Sequence, residues 1–289
     1  MSSARSQRTV IPFVHSSLDP SPLDRSPQGS SVDHDLTLVI PAYNEESRLP
    51  TTLSDTRSYL DAWGINYRVI VVDDGSRDAT ASLTSNYGRR FSTIRQANGG
   101  KGSAVRNGML AARGRVVAFT DADLPYDLSA LKSAFQTIDS GRREVVFGSR
   151  NAQGSASMVE RQWQRTLASF VFRTCMALLV SRQVTDTQCG LKVFSHRAAN
   201  RIFSRATVNG FAFDAEVVYL THLLNISFEK VAVTLVNDYS TTISLTRNAL
   251  PMLMDVIGVR LRSWRNGYRP GADDFAPTVA DEVAARKAA

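Results

Sequence analysis

Two cysteines in 289 residues, Cys175 and Cys189, are too few for a disulfide framework or a cysteine-based metal site, and this usage fits a reducing compartment. Long apolar runs are missing too. The best stretch, Leu167 to Val180, contains Arg173 and falls short of the roughly 20 apolar residues that span a bilayer. The amino terminus lacks the compact apolar core of a secretory signal. We therefore expect a cytoplasmic protein, either soluble or in peripheral contact with the cytoplasmic face of a membrane. Two nucleotide signatures are absent as well: there is no Gly-x-x-x-x-Gly-Lys-Ser/Thr loop, and no Gly-x-Gly-x-x-Gly follows the first strand.

What is present points to a globular chain with an anionic partner. Apolar residues make up 43%, enough for a sizeable core, and the formal charge is +7. The arginines are scattered with no basic stripe among aromatics, which argues against nucleic acid. Residues 1 to 34 hold nine serines and four prolines and read as a disordered leader. From Leu36 onward, β-branched runs (36–40, 67–72, 91–95, 115–120 and 144–147) alternate with helical patterns near 45–62, 77–88, 101–112 and 127–140. Strands too apolar for a one-sided sheet, joined by crossover helices, predict an α/β domain. Its central sheet is mainly parallel, flanked by helices, and covers 35–245. A basic amphipathic helix over 246–269 and a mobile tail over 270–289 complete the expected order.

In such sheets ligands sit beyond the carboxyl ends of the strands, and four polar clusters fall there. Asp121 and Asp123 close the run Arg115 to Thr120, separated by one alanine. Adjacent like charges are costly, and oxygen ligands at a strand end suit Mg²⁺ or Mn²⁺ completed by water and phosphate oxygens. The alternative is a helix cap by Asp123 or Asp127. Asp73 and Asp74 precede Gly75-Ser76, where a carboxylate could meet a ribose hydroxyl or base N–H, or where Ser76 and Asp78 could simply cap the next helix. Asn98-Gly-Gly-Lys-Gly102 sets Lys101 among glycines before a helix, a phosphate-attracting arrangement or a solvated turn. Pro41 to Glu45 ends the first strand. Further on, Arg150 follows the fifth strand, Asp186 to Lys192 forms a polar loop, and Asp214 and Glu216 open an apolar helix, where they could serve its dipole.

Taken in order, these segments resemble the family 2 inverting glycosyltransferases of the GT-A fold. The likeness is strongest to the branch of dolichyl-phosphate glucosyltransferases and polyprenyl-phosphate mannosyltransferases, and it spans roughly residues 36 to 245. The resemblance implies that Pro41, Tyr43, Glu45 and Asp73 contact the nucleoside of a sugar donor. It makes Asp121 face the ribose or sugar, with Asp121 and Asp123 as the metal site and Asp123 the ligand to Mg²⁺ or Mn²⁺ at the diphosphate. Lys101 and Arg150 become phosphate contacts, and Asp123, Arg150 and Asp214 the catalytic candidates. Asp186-Thr-Gln-Cys-Gly190 and Phe211-Ala-Phe-Asp214 look like the glucosyl branch, which implies UDP-glucose as donor and a polyprenyl or dolichyl phosphate as acceptor. Pro125 stands where mannosyl relatives often carry Gln, so a ligand from that position is not expected. The alternatives are GDP-mannose as donor, a soluble hydroxyl acceptor, or a non-catalytic nucleotide-sugar binding module.

A phosphate monoester acceptor, with its second pKa about 6, attacks as a dianion without a strong base. A hydroxyl acceptor needs one, and Asp214 is then the candidate. Two stretches suggest contact with lipid: Arg161 to Val180, and Thr246 to Trp264, where apolar residues alternate with Arg247, Arg260 and Arg262. Packing of those apolar residues on the domain is the competing expectation.

Overall fold

The computed structural model describes residues 33–150, 152, 155–157, 189–236, 245–265 and 267–268. The leader to residue 32, the Arg161 to Val180 stretch, Asp186 to Gln188 and the tail from 270 lie outside them. The order is β1 (His34–Ala42), α1 (Leu49–Trp63), β2 (Tyr67–Asp73), a 3₁₀ stretch (Ala79–Tyr87), β3 (Phe91–Arg95), α2 (Lys101–Ala111), β4 (Gly114–Phe119), α3 (Ser129–Asp139) and β5 (Val145–Ser149). The short β6 (Ala156–Ser157), β7 (Lys192–Ser195), α4 (His196–Phe203), α5 (Phe213–Leu223), β8 (Phe228–Ala232), the short β9 (Thr234–Leu235) and α6 (Leu245–Trp264) follow.

Seven strands form one sheet in the order β3-β2-β1-β4-β7-β5-β8. Strand alternation divides the core between its faces. Leu36, Leu38 and Ile40 of β1 join Val69 and Val71 of β2 under α1 and α3, while Val39, Val72, Val117 and Phe119 meet α2, α4 and α5 on the other side. Both faces are covered, so the strands read as continuous apolar runs.

The sheet is mixed. Strands β1 to β5 and β8 run parallel, but β7 lies antiparallel between β4 and β5, with Phe119 and Phe147 both opposite Lys192. Reversal matters for the site, because β7 brings its first residue to the edge where β4 and β5 bring their last. The expected helix over 77–88 closes as a 3₁₀ stretch instead. Its serines and threonines bond locally: Thr80 N donates to Asp78, and Ser82 and Ser85 donate to carbonyls three residues back.

Candidate active site

Four strand ends build the site. At β4 the chain leaves the sheet through Thr120 and turns on Leu124, whose φ is +40° and whose N–H donates to the Asp121 carbonyl. That turn aims Asp121 and Asp123 outward from one edge. The Ala122 carbonyl between them accepts from Thr52 Oγ1 of α1, which pins the turn to the neighbouring helix.

Lys101, the first residue of α2, reaches across with its ammonium 2.6 Å from Asp121 Oδ1. The contact is a close ion pair that occupies this carboxylate oxygen. Burial pulls the Lys101 pKa down, yet attraction to Asp121, Asp214 and Asp123 outweighs it and holds the amine above its ordinary value. Burial, then the adjacent charge of Asp121, pushes the Asp123 carboxyl up. Glu45, at the end of β1, is likewise raised by burial and by Asp123, against the pull of Arg48 3.4 Å away.

Behind this pair sits a second ion pair. Lys192, 1% exposed, donates to the Cys189 carbonyl at 2.8 Å and to Asp214, and its ammonium lies 5.2 Å from the Phe119 ring centroid. Burial raises the Asp214 carboxyl, while Lys192 and then Lys101 oppose the shift. Two lysines and three carboxylates thus share one edge, bound together by β7 entering where β4 leaves. Gly190 makes room for this: a Cβ there would lie 2.3 Å from Asp121 Oδ2.

The remaining candidates spread around the cluster. Asp74 is committed to the glycine loop, accepting from Gly99 N, Gly100 N and Gln96 Nε2. Asp73 is fully buried; its Oδ1 accepts from Ser76 N, and its Oδ2 lies 3.1 Å from Arg95 Nε without hydrogen-bond alignment. Tyr43 is exposed just past Pro41, and Arg150 directly follows β5, half-buried at the same edge. Asp127 takes the bland role, accepting from Ser129 N at the start of α3. The sequence places Gly190 and Lys192 in the polar segment 186–192 without singling out either. The signal for the lysine was a lone ammonium between Leu191 and Val193 in an otherwise apolar strand.

Among the described residues no group of three or more His, Cys, Asp or Glu side chains could hold a metal ion. The Asp121–Asp123 pair nonetheless fits a hard divalent cation completed by phosphate and water oxygens: its carboxylates repel, and both offer oxygen donors at one strand end.

Comparison with known proteins bears on the family and the fold. Residues 37–203 match the model of glycosyl transferase family 2. The chain is 32% identical to a dolichyl-phosphate beta-glucosyltransferase of Dictyostelium discoideum, over 78% of this chain and 74% of that one. It is 36% identical to the Drosophila melanogaster enzyme of the same name, over 69% and 66%. Among solved structures, glucosyl-3-phosphoglycerate synthase from Mycobacterium tuberculosis, in complex with Mn²⁺, UDP and glucosyl-3-phosphoglycerate, aligns with a TM-score of 0.59 at 18% identity, covering 80% of each chain. Mannosyl-3-phosphoglycerate synthase from Rubrobacter xylanophilus aligns at 0.61 and 14% identity, covering 83% and 77%. At such identities the structural likeness carries the fold alone, a single GT-A domain with a mixed seven-stranded sheet.

Proposed function

Since the chain belongs to glycosyl transferase family 2, in its dolichyl-phosphate glucosyltransferase-like branch, we propose that it moves glucose from UDP-glucose to a polyprenyl phosphate with inversion, dependent on a divalent cation. The observation that carries this reading is the convergence of Asp121, Asp123 and Lys101 at the end of β4, beside the buried Lys192–Asp214 pair. Asp123 and Asp121 would hold Mg²⁺ or Mn²⁺, which would supply positive charge against the departing diphosphate. Lys101, whose ammonium stands at this pair, would face the phosphates, with Arg150 as a second cation at the same edge. Tyr43 offers an exposed ring for the base beyond β1 with Glu45 beside it, while the buried Pro41 and Asp73 back the nucleoside end from within the sheet.

The reaction forms a bond between an acceptor oxygen and the anomeric carbon while the bond to the diphosphate breaks. Asp214 bears on which acceptor is used. Its carboxylate is engaged by the Lys192 ammonium, so it suits positioning better than proton abstraction. A phosphate dianion needs no such base, which favours the lipid monophosphate over a hydroxyl.

Helix α6 supports a lipid acceptor independently. Val256 and Val259 pack inward, whereas Met254, Ile257, Leu261 and Trp264 follow one another at spacings of three and four residues and stay exposed, Trp264 by 83%. Arg260, Arg262 and Arg265 are exposed on the same turns. An apolar stripe edged with arginine suits the headgroup region of an anionic membrane. No helix among the described residues is long and apolar enough to cross one.

Purified protein should release UDP from UDP-glucose only when polyprenyl phosphate and Mn²⁺ or Mg²⁺ are both present, and EDTA should stop it. Absence of UDP release with any polyprenyl phosphate sinks the proposal, and release from GDP-mannose in preference to UDP-glucose replaces the donor. Asp123→Ala should lower turnover well over tenfold, which separates an enzyme from a binding module.

A further inference from the structure

Glu216 is fully buried on the first turn of α5, two residues past Asp214, and no step above uses it. An acid in a helix's first turn suits the dipole, but this one collects far more than the dipole requires. It accepts from Thr207 N at 2.8 Å, Val208 N at 2.7 Å, Thr207 Oγ1 at 2.7 Å and the Tyr268 hydroxyl at 2.5 Å, with Arg262 Nη1 3.7 Å away. Four donors converging on one buried carboxylate fix the segment 207–208 in place. Burial, then the Glu216 hydrogen bond, pushes the Tyr268 hydroxyl up to about 12, so it remains a donor throughout the working range.

The next residues in that segment seat α2. The Asn209 carbonyl accepts from Gly102 N at 2.7 Å and Ser103 N at 3.3 Å, and Asn209 Oδ1 and the Ala206 carbonyl both accept from Arg106. Backbone meets backbone here. A Cβ on Gly100 would lie 2.6 Å from the Asn209 carbonyl oxygen, and one on Gly102 would lie 2.4 Å from that of Val208. The residue between those two glycines is Lys101.

We propose that Glu216 is a positioning residue for the sugar donor: by holding Thr207 to Asn209 it sets the amino end of α2, and with it the place of the Lys101 ammonium over the diphosphate. This rests on the reading of Lys101 as a phosphate contact. It also makes α6 and Tyr268, which close over Glu216 from the carboxyl-terminal side, part of the donor site's support at a distance from any substrate.

The test is a double-mutant cycle on UDP binding in the presence of Mn²⁺, read by calorimetry with thermal denaturation alongside. Thr207→Val removes one donor and should weaken UDP about tenfold. Thr207→Ser, which keeps the hydroxyl, should bind within about twofold of wild type. In a Lys101→Met background the same Thr207→Val change should cost nothing more, because the ammonium it positions is gone. Tyr268→Phe should repeat the pattern from the other side of Glu216 and serves if Thr207→Val does not fold. Equal weakening in both backgrounds, or none in either, overturns the inference while leaving the donor assignment standing. Wild-type protein that fails to bind UDP with Mn²⁺ overturns both.

Discussion

A single methyl group at Gly190 should disable the enzyme while leaving it folded. This glycine is outside the left-handed region, so alanine meets no backbone strain there. The obstacle is the neighbour: the new Cβ would lie 2.3 Å from Asp121 Oδ2 and 2.8 Å from its Cγ. The shorter contact falls about 1 Å inside the roughly 3.5 Å at which nonbonded heavy atoms rest. Asp121 must move by about that distance, and its other oxygen is the one paired with Lys101. Displacing a positioning group by about 1 Å can cost on the order of 100-fold in rate, or about 2.7 kcal/mol of transition-state stabilisation. Against this, alanine for glycine stiffens the unfolded chain and returns roughly 0.4–1 kcal/mol. The expected result for Gly190→Ala is therefore kcat/KM for UDP-glucose lower by about 100-fold, with Tm within a few degrees of wild type. UDP-release kinetics and calorimetry on the same preparation measure both. A variant within threefold of wild-type activity refutes the reasoning. So does one that loses activity only in step with Tm, since that would locate the damage in β7 packing rather than at Asp121.

Other outcomes follow from the charges around the site. The Asp123 carboxyl has a folded pKa above its unfolded value, so ionising it costs stability as pH rises from the unfolded pKa toward the folded one. Asp123→Asn should accordingly raise the metal-free Tm at neutral pH, leave it unchanged below the unfolded Asp pKa of about 3.9, and abolish turnover; denaturation across pH with EDTA checks this. Mn²⁺ binding should weaken on acidification from a pH above the ordinary Asp range, and Lys101→Met, which removes a charge holding the Asp123 pKa down, should move that limb to still higher pH in a calorimetric titration. Lys192→Met leaves Asp214 buried without its partner and should cost about 3–5 kcal/mol in urea unfolding, whereas Lys192→Met with Asp214→Leu should recover most of that loss.

The strand-end clusters were legible in the sequence because they are local. Each follows its own strand within a few residues, so Asp73, Lys101, Asp121 and Asp123 could be assigned to one edge once the strands were recognised. The buried Lys192–Asp214 pair depends on strand direction, which apolar patterning does not encode. Leu191 to Phe194 reads as a strand either way round, and only its antiparallel pairing with β4 puts Lys192 against Phe119 and within reach of Asp214. Glu216 was visible as an acid in a helix's first turn, but its donors come from Thr207, Val208 and Tyr268, and no spacing rule joins them. The serine- and threonine-rich helix over 77–88 misled because its composition allows a helical turn while its side chains compete for the backbone.

The reversed β7 also splits the site along the chain. The donor contacts proposed here, Arg150 apart, lie before Leu124, and the Lys192–Asp214 ion pair comes from residue 192 onward. Recombination between relatives at a point between Leu124 and Lys192 would therefore set the carboxylate pair of one parent against the buried ion pair of the other. The Asn209 carbonyl against Gly102 limits where such a join can fall, for any hybrid that separates α2 from residues 206–216 would build this backbone contact from two different parents. Carrying residues 206–216 with α2 would in turn part Asp214 from Lys192, so no exchange keeps both contacts native unless β7 travels with them.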